Sequence, residues 1–302
     1  MNWEEAEQML VKNLEALYNT GEAAAITEAL LEHVSGLQRQ QRKHKRLLVL
    51  DDASINALYG AQQRLLAGEP LQYVTNTAYF YSLKMYVDNR VLIPRPETEE
   101  LTQWVLDDLK TLHPQLFHNT VATADYTTEA KVLDVCTGSG CVALAIKYAA
   151  PLAEVWGCDV SDDALAVARL NGAQLNIRVD FQAANFLNET EQRTLPTVHV
   201  VVCNPPYIPA NEAVNMHRNV IDWEPHTALF VPEDDALIFY KALILFGQHR
   251  LYDGGRMYAE LHYDKSVEVE HLFREGGYET TLKKDMQGTT RMICAVKVAA
   301  KK

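Results

Sequence analysis

From residue 131 onward, short apolar runs alternate with helix-patterned stretches, and this alternation leaves few folds open. Strand-like runs at 131–136, 154–159, 177–182 and 198–203 are interleaved with helical patterns at 141–149 and 162–172. Runs this short and apolar suit strands buried on both faces, so the pattern predicts an α/β domain whose parallel sheet is covered by helices. Further on, a helix near 235–248, a strand near 255–262, a helix near 265–275 and strands near 278–283 and 290–298 are expected. The last two are expected to form an antiparallel edge pair.

Upstream, residues 3–67 contain no strand-like run. Trp3, Ala6, Leu10, Leu14 and Leu17 recur at three- and four-residue steps, which places them on one helical face. Gly21, Gly36 and Asp51-Asp52-Ala53-Ser54 punctuate the segment as helix ends and caps do, giving a small helical bundle. Between 71 and 94, Tyr73, Val74, Tyr79, Phe80, Tyr81, Tyr86, Val87, Val91 and Leu92 give a β-rich character, with Asp88-Asn89 as a turn signal, and predict a linking hairpin. Ile93-Pro94-Arg95-Pro96 is held extended because each proline disfavours helix in the residue before it, and a helix over about 97–112 follows. Residues 113–129 read as a polar linker. The expected division is therefore 1–70 helical, 71–94 hairpin and 95–302 α/β.

Composition narrows the functional classes. The 302 residues hold 28 Lys and Arg against 40 Asp and Glu, a net charge of −12. Residues 1–94 carry 9 bases and 11 acids, net −2, which leaves 19 and 29, net −10, for 95–302. So acidic a second half argues against wrapping a phosphate backbone. The five cysteines, Cys136, Cys141, Cys158, Cys203 and Cys294, form no C-x-x-C pair, which argues against a disulfide framework or a zinc site, and no metal is expected. The acidic N-terminus lacks a basic stretch followed by an apolar run, and no apolar window approaches the roughly 20 residues of a membrane span. A reducing, cytoplasmic setting without membrane contact is expected.

Two constellations carry chemistry. In Val132-Leu133-Asp134-Val135-Cys136-Thr137-Gly138-Ser139-Gly140-Cys141 a strand runs into a glycine turn that opens a helix. Ligands of open α/β sheets bind in the crevice that such a first crossover borders. Asp159, closing the second strand 19 positions beyond Gly140, is placed to accept hydrogen bonds from ribose hydroxyls. A tight turn with an ordinary strand-end Asp is the plainer account of these residues. The third glycine of the dinucleotide fingerprint is missing and no phosphate loop occurs, so S-adenosylmethionine fits better than NAD or ATP.

The second constellation is Val200-Val201-Val202-Cys203-Asn204-Pro205-Pro206-Tyr207-Ile208. Consecutive prolines cannot donate ladder hydrogen bonds, so the chain must leave the sheet there. Asn204 then offers a carboxamide oxygen and Pro205 a carbonyl, two acceptors suited to an NH2 group. Holding both hydrogens of a planar amide favours a pyramidal nitrogen whose lone pair can face a methyl donor, with positioning supplying most of the acceleration. Tyr207 is expected to pack against the planar group. Asn-Pro-Pro as turn punctuation is the competing account. Together the two motifs indicate an amino-group methyltransferase.

The chain resembles the release factor glutamine methyltransferases over about residues 60–298. The resemblance rests on Gly68-Glu69-Pro70-Leu71-Gln72-Tyr73, Leu92-Ile93-Pro94-Arg95-Pro96-Glu97-Thr98-Glu99, the Asp134 to Gly140 turn, Asn204-Pro205-Pro206-Tyr207-Ile208, Glu224-Pro225 with Ala228-Leu229, and Asp285 with Gly288 and Arg291. Asn-Pro-Pro-Tyr alone is shared with adenine methyltransferases; its combination with Ile-Pro-Arg-Pro-Glu-Thr-Glu is more specific. The resemblance implies a Rossmann-like, seven-stranded class I methyltransferase domain with an N-terminal substrate-recognition domain. It implies an S-adenosylmethionine site, with S-adenosylhomocysteine as product, lined by Cys136, Thr137, Gly138, Ser139, Gly140, Asp159, Asn185, Phe186 and Asn204. Asn204, Pro205, Pro206 and Tyr207 would hold the glutamine of a Gly-Gly-Gln loop in class I peptide chain release factors. Two positions depart from the family pattern: Cys136 replaces the first glycine of the usual turn, and Asn185 stands where Asp is common. A glutamine of a ribosomal protein, or an adenine N6 on nucleic acid, is the alternative substrate; direct nucleic acid binding is not expected.

Other residues keep two readings. Arg95 either orients substrate or pairs with Glu97 or Glu99. Glu224 is expected to brace the substrate loop through backbone amides rather than transfer a proton, and His226 to be a loop residue. Cys136, Cys158 and Cys203 fall at strand ends on one sheet edge, as small packing or as redox-sensitive thiols near the cofactor. The basic run Arg39 to Arg46 is a solvated helix face or a contact for an acidic or RNA-associated translation partner.

Overall fold

The structure, a computed structural model, describes residues 1–117 and 130–298. It divides into two compact units: residues 1–77 with 217–223, and the described residues of 78–216 together with those from 224 onward.

The first unit is helical: α1 (Trp3–Leu14), α2 (Thr20–Ser35), α3 (Arg39–His44), α4 (Asp52–Leu66) and α5 (Leu71–Val74). Side chains cap the three long helices. Asn2 and Glu5 form a reciprocal capping box at α1, with N–H to oxygen distances of 2.9 and 3.0 Å, and Asn19 and Asp51 accept the first-turn amides of α2 and α4. Ala6, Leu10 and Leu14 are buried against Ala23, Ile26, Leu30 and Leu31 of α2 and Leu58 and Leu65 of α4. The expected stripe ends there, because Leu17 lies past α1 and is exposed.

Residues 71–74, expected to open a hairpin, are helical instead. Arg64 binds the Glu69 carboxylate through Nε at 2.7 Å and donates to the carbonyls of Tyr73 and Val74 at 3.1 and 3.2 Å, so one guanidinium ties α4 to the end of α5. Tyr73 and Val74 are buried in this arrangement, and tertiary packing overrides their β propensity. The basic run is also partly structural. Arg42 is buried, pairs with Glu28 and donates to the Leu37 carbonyl at 3.0 Å, while Lys43 to Arg46 are exposed.

The second unit opens with a short hairpin, β1 (Ala78–Phe80) and β2 (Leu83–Met85), turned by Tyr81 and Ser82, both at positive φ as tight hairpins require. The hairpin turn therefore falls before Asp88-Asn89, and Asp88 instead holds the Arg90 guanidinium and the Tyr86 hydroxyl. Then follow α6 (Pro96–Leu112), a 3-10 turn (Pro114–Phe117), β3 (Lys131–Val135), α7 (Cys141–Ala149), β4 (Glu154–Asp159), α8 (Asp162–Leu175), β5 (Asp180–Ala183), α9 (Glu189–Gln192) and β6 (Val198–Cys203). Beyond these come β7 (Ile208–Pro209), α10 (Arg218–Ile221, grouped with the first unit), β8 (Phe230–Val231), α11 (Ile238–Arg250), β9 (Leu251–Glu260), α12 (Ser266–Glu275), β10 (Tyr278–Lys284) and β11 (Thr290–Lys297). Of the expected linker, residues 118–129 lie outside the described residues.

Seven strands form one sheet in the order β10-β11-β9-β6-β3-β4-β5. The pairs from β9 through β5 are parallel, and β11 runs antiparallel to both β9 and β10. Only β10 is therefore an edge strand of the expected pair. It carries a register shift between Lys283 and Lys284. β9 begins at Leu251, earlier than the expected 255–262, and carries Gly254-Gly255 inside it; the register against β6 shifts between Val198 and Val200. β5 starts at Asp180, and Ile177 and Val179 pack against the core without joining the ladder.

Strand alternation divides the core. Val200 and Val202 face one side with Leu101, Val105 and Leu109 of α6 and Leu144 and Ile146 of α7; Val201 and Cys203 face the other with Tyr240, Leu243 and Phe246 of α11 and Phe273 of α12. Gly157 in β4 has no room for a side chain, since a Cβ would lie 2.8 Å from both the Phe181 ring and Thr137 Oγ1. Gly157→Ala is expected to cost about 1–3 kcal/mol through overpacking, seen as a lower denaturation midpoint in chemical unfolding; an unchanged midpoint would mean that Phe181 and Thr137 give way easily.

Candidate functional site

The chain leaves β3 for β4 and β5 on one side and returns through β6 on the other. The connections at the carboxyl ends of β3 and β6 thus diverge, and a crevice opens at this switch point. It encloses about 1080 Å³, mouth included, and is lined by the turns after β3 and β4, residues 184–187 after β5, Asn204 and Pro206 after β6, Arg90 to Leu92, Pro94, Arg95 and Thr98, and Pro225, Thr227 and Ala228.

The turn after β3 is built on positive φ at Cys136 (58°), Gly138 (53°) and Gly140 (79°). Cys136 adopts a conformation that glycine takes freely and other residues take at a cost of about 1–2 kcal/mol. Cys136, Thr137, Gly138 and Ser139 line the crevice, whereas Gly140 does not. Gly140 is required for packing as well as φ, because a Cβ there would sit 3.0 Å from Phe181 and 3.1 Å from Ala168. A buried Asn171 on α8 fixes the turn further: it donates to the Ser139 carbonyl at 2.9 Å and exchanges hydrogen bonds with both backbone groups of Tyr86. Asn171 had no sequence signal beyond being a polar residue on an apolar helix face.

Two carboxylates sit beneath the turn. Asp159 accepts from Gly138 N at 2.9 Å and Ser161 N at 3.0 Å, one bond on each oxygen, and burial raises its pKa. The Val160 amide also lies against this carboxylate, and a carboxylate with about four acceptor sites keeps room for a hydroxyl. Asp134 is fully buried, and desolvation pushes it up to about 7 against the hydrogen bonds from Thr137 and Ala143. Both of those donors meet the same oxygen, Oδ2, at 2.6 and 3.1 Å. At the far end, Asn185 is exposed, with Oδ1 taken by Leu187 N at 3.0 Å, and the Phe186 ring packs 5.3 Å from Phe246 in the core.

At the end of β6, Asn204 lines the crevice and its Nδ2 donates to Thr98 Oγ1 at 2.9 Å. Thr98 in turn donates to Glu260 Oε2 at 2.7 Å, and Tyr207 donates to Glu260 Oε1 at 2.8 Å. Pro206 lines the crevice; Pro205 and Tyr207 do not. Burial and the adjacent Glu260 charge raise the Tyr207 phenol far above its usual range, so it keeps the proton that it donates to Glu260. Sequence reasoning passed over Thr98 and Glu260. The signal for Glu260 was a lone acid closing the apolar run Met257-Tyr258-Ala259.

Arg95 pairs with neither Glu97 nor Glu99. Its guanidinium donates to Glu224 at 2.6 Å, and the second oxygen of Glu224 accepts from Ile93 N at 3.1 Å. Glu224 therefore grips the backbone amide of Ile93 without lining the crevice, while Arg95 lines it. His226 lies in a 3-10 turn, its ring edge-on to Phe230. Val135 is in register with both Cys158 and Cys203, so Cys136, Cys158 and Cys203 do share one sheet edge. Burial pushes the Cys158 and Cys203 thiols well up, which keeps them protonated and favours the packing account. Among the described residues, no group of three or more His, Cys, Asp and Glu is arranged to hold a metal ion.

Residues 114–223 match the family described as Methyltransferase small domain, and residues 5–75 match the PrmC N-terminal domain. A protein of Flavobacterium psychrophilum named release factor glutamine methyltransferase is 32% identical over 295 residues, covering 94% of this chain and 98% of that one. The chain belongs to the release factor glutamine methyltransferase family. A member from Chlorobaculum tepidum is 36% identical over 250 residues, covering 81% and 80%. The solved structure of the hMettl16 catalytic domain in complex with MAT2A 3'UTR hairpin 6 shares the fold at 14% identity, with a TM-score of 0.52 over 82% of this chain and 85% of that one. The methyltransferase family and the seven-stranded mixed sheet together give the class I architecture.

The shared oxygen in the Asp134 pair makes a pH test possible within this family fold. A neutral Asp134 satisfies both donors at Oδ2 and carries its proton on Oδ1. Its raised pKa means a stability contribution that is full below about 3.8 and lost as pH rises through about 7. Asn, with one carbonyl oxygen for both donors, has no such loss. The stability of the wild type relative to Asp134→Asn is thus expected to fall between pH 5 and pH 8 in urea unfolding; a constant difference would show Asp134 ionised throughout.

Proposed function

We propose that this protein transfers a methyl group from S-adenosylmethionine to the side-chain amide nitrogen of the glutamine in the Gly-Gly-Gln motif of class I peptide chain release factors. The observation that carries the proposal is the Asn204 carboxamide at the crevice: with Nδ2 engaged by Thr98, Oδ1 is the atom left to accept a hydrogen from an incoming NH2. The names and identities of the relatives support the same substrate.

The residues present fit the methyl donor. The Asp159 carboxylate has spare acceptor capacity for a ribose hydroxyl, the Cys136–Ser139 turn allows close backbone approach, and Asn185 and Phe186 border the side of the crevice where the base would lie. When bound, the donor supplies a methyl group on a positively charged sulfur. The chain's own residues hold the nucleophile. Asn204 Oδ1 accepts one of the two amide hydrogens, which draws the nitrogen lone pair out of conjugation and toward the methyl donor. Methylation would make the nitrogen strongly acidic, so its surplus proton could pass to water and no strong base among the chain's residues would be needed. Arg95, held by Glu224, is placed to orient the substrate loop, and Pro206 closes the wall beside Asn204.

Recognition of the release factor is assigned to the helical N-terminal region, which matches the PrmC N-terminal domain. A protein partner that works in translation suits the cytoplasm. Among the described residues no helix is long and apolar enough to cross a membrane. The acidity of residues 95–302 supports a protein substrate over a nucleic acid.

Incubation with methyl-labelled S-adenosylmethionine and, separately, a class I release factor, its Gln-to-Ala version, ribosomal protein and DNA tests the proposal. Label is expected on the intact release factor alone; label only on ribosomal protein or DNA would overturn it. Asn204→Ala is expected to lower kcat by about 100-fold or more, the scale seen when a preorganised hydrogen-bonding group is removed, while cofactor affinity measured by calorimetry stays within a few-fold.

A further inference from the structure

Asn204 and Glu260 leave the sheet side by side: the last registered pair of β6 and β9 is Cys203 with Ala259, and the next residues are Asn204 and Glu260. Thr98, in the first turn of α6, stands between their side chains. Glu260 and Thr98 are both buried. The polarity of each hydrogen bond in this chain is dictated by its buried end. An ionised carboxylate only accepts, so the hydroxyls of Thr98 and Tyr207 must both donate to Glu260. Having spent its one hydrogen, Thr98 Oγ1 only accepts, and the sole Asn204 group it can meet is the NH2. The carboxamide oxygen is thereby turned away from Thr98.

We propose that Glu260, acting through Thr98, is the positioning residue that fixes the Asn204 carboxamide with its oxygen toward the substrate, and so determines selection of a glutamine amide over a glutamate carboxylate. This rests on the glutamine reading of the site given above. A neutral, donating group at position 260 allows the opposite order: Thr98 accepts from residue 260 and donates to Asn204 Oδ1. The Asn204 NH2 then faces the substrate, repels an amide NH2 and welcomes a carboxylate oxygen. The same carboxylate holds Tyr207, so one buried charge orders both members of the Asn-Pro-Pro-Tyr motif that carry polar side chains. Burial raises the Glu260 pKa, the hydrogen bonds from Thr98 and Tyr207 oppose that rise, Glu97 of α6 adds to it and Arg291 on β11 counters it, while the Tyr240 hydroxyl donates to the Glu260 carbonyl at 3.0 Å.

The test uses the full chain with a class I release factor and with a version carrying Glu in place of the Gly-Gly-Gln glutamine. Three readouts are taken for the wild type, Thr98→Val, Thr98→Ser and Glu260→Gln: kcat for the glutamine substrate, the ratio of affinities for the two release factors, and the affinity for S-adenosylmethionine. Thr98→Val, which keeps the shape and removes the relay, is expected to lower kcat and to narrow the glutamine-to-glutamate affinity ratio, each by about tenfold, with cofactor affinity unchanged, as loss of one buried hydrogen bond implies. Thr98→Ser, which keeps the hydroxyl, is expected to retain both. Glu260→Gln offers one acceptor where two donors arrive and is expected to follow Thr98→Val in the ratio. A wild-type ratio in both Thr98→Val and Glu260→Gln overturns the inference, as does a Thr98→Ser protein that folds and binds cofactor yet loses the ratio. Failure of the wild type to methylate the glutamine at all would instead overturn the functional reading on which the inference rests.

Discussion

The placement of β3 at the centre of the sheet, with β4 on one flank and β6 on the other, is the constraint on which the rest depends. Parallel neighbours must be reached by crossovers, and because the connection leaving β3 runs toward β4 while the one leaving β6 runs the other way toward β9, neither closes over the carboxyl ends of this adjacent pair. The crevice there is a product of connectivity, formed before any side chain is considered. What the side chains add is definition: positive φ at Cys136, Gly138 and Gly140 keeps the first turn low, and Pro205-Pro206 takes β6 out of the sheet.

Buried polar groups then convert the crevice into a shaped receptor. Asp134, Asp159, Asn171, Glu224 and Glu260 are each held by named donors or acceptors, and each fixes a segment that carries no regular structure of its own. The energetic logic is that an unpaired buried polar group costs more than a paired one yields, so every such group enforces its partner's position. Loops that would otherwise sample many conformations are pinned by side chains rooted in helices and strands. Glu224, for example, immobilises Ile93 and Arg95 from 131 and 129 residues away.

How far the fold could be read from the sequence followed how local the determining forces were. β3, β4 and β6 were legible because burial leaves a largely apolar run, and Asp159 and Asn204 because they end such runs; β5 was placed three residues early because Ile177 and Val179 supply the apolar signal although the ladder begins at Asp180. Residues 71–74 were misread, since Tyr73 and Val74 carry β propensity while the Arg64 contacts that make them helical lie outside any short window. The hairpin turn was placed at Asp88-Asn89 for the same reason: Tyr81 and Ser82 hold positive φ although neither residue type advertises it. β9 was begun near 255 rather than at Leu251, Gly254-Gly255 having no side chains to mark a strand. Thr98 and Glu260 were invisible as a pair, being 162 positions apart, although each sat within a motif already noted or at the end of a strand already drawn.

The two edges of the sheet are made differently from its centre. On one side stands β5, four residues long and opening on Asp180; on the other stands β10, with Glu279, Lys283 and Lys284 and a slipped register near its end. A foreign strand arriving at either border would meet too little ladder or a row of charges that it must strip of water. The long apolar strands that hold the core together, which would be hazardous as free templates, are thus enclosed by neighbours that discourage growth of the sheet from one molecule into the next.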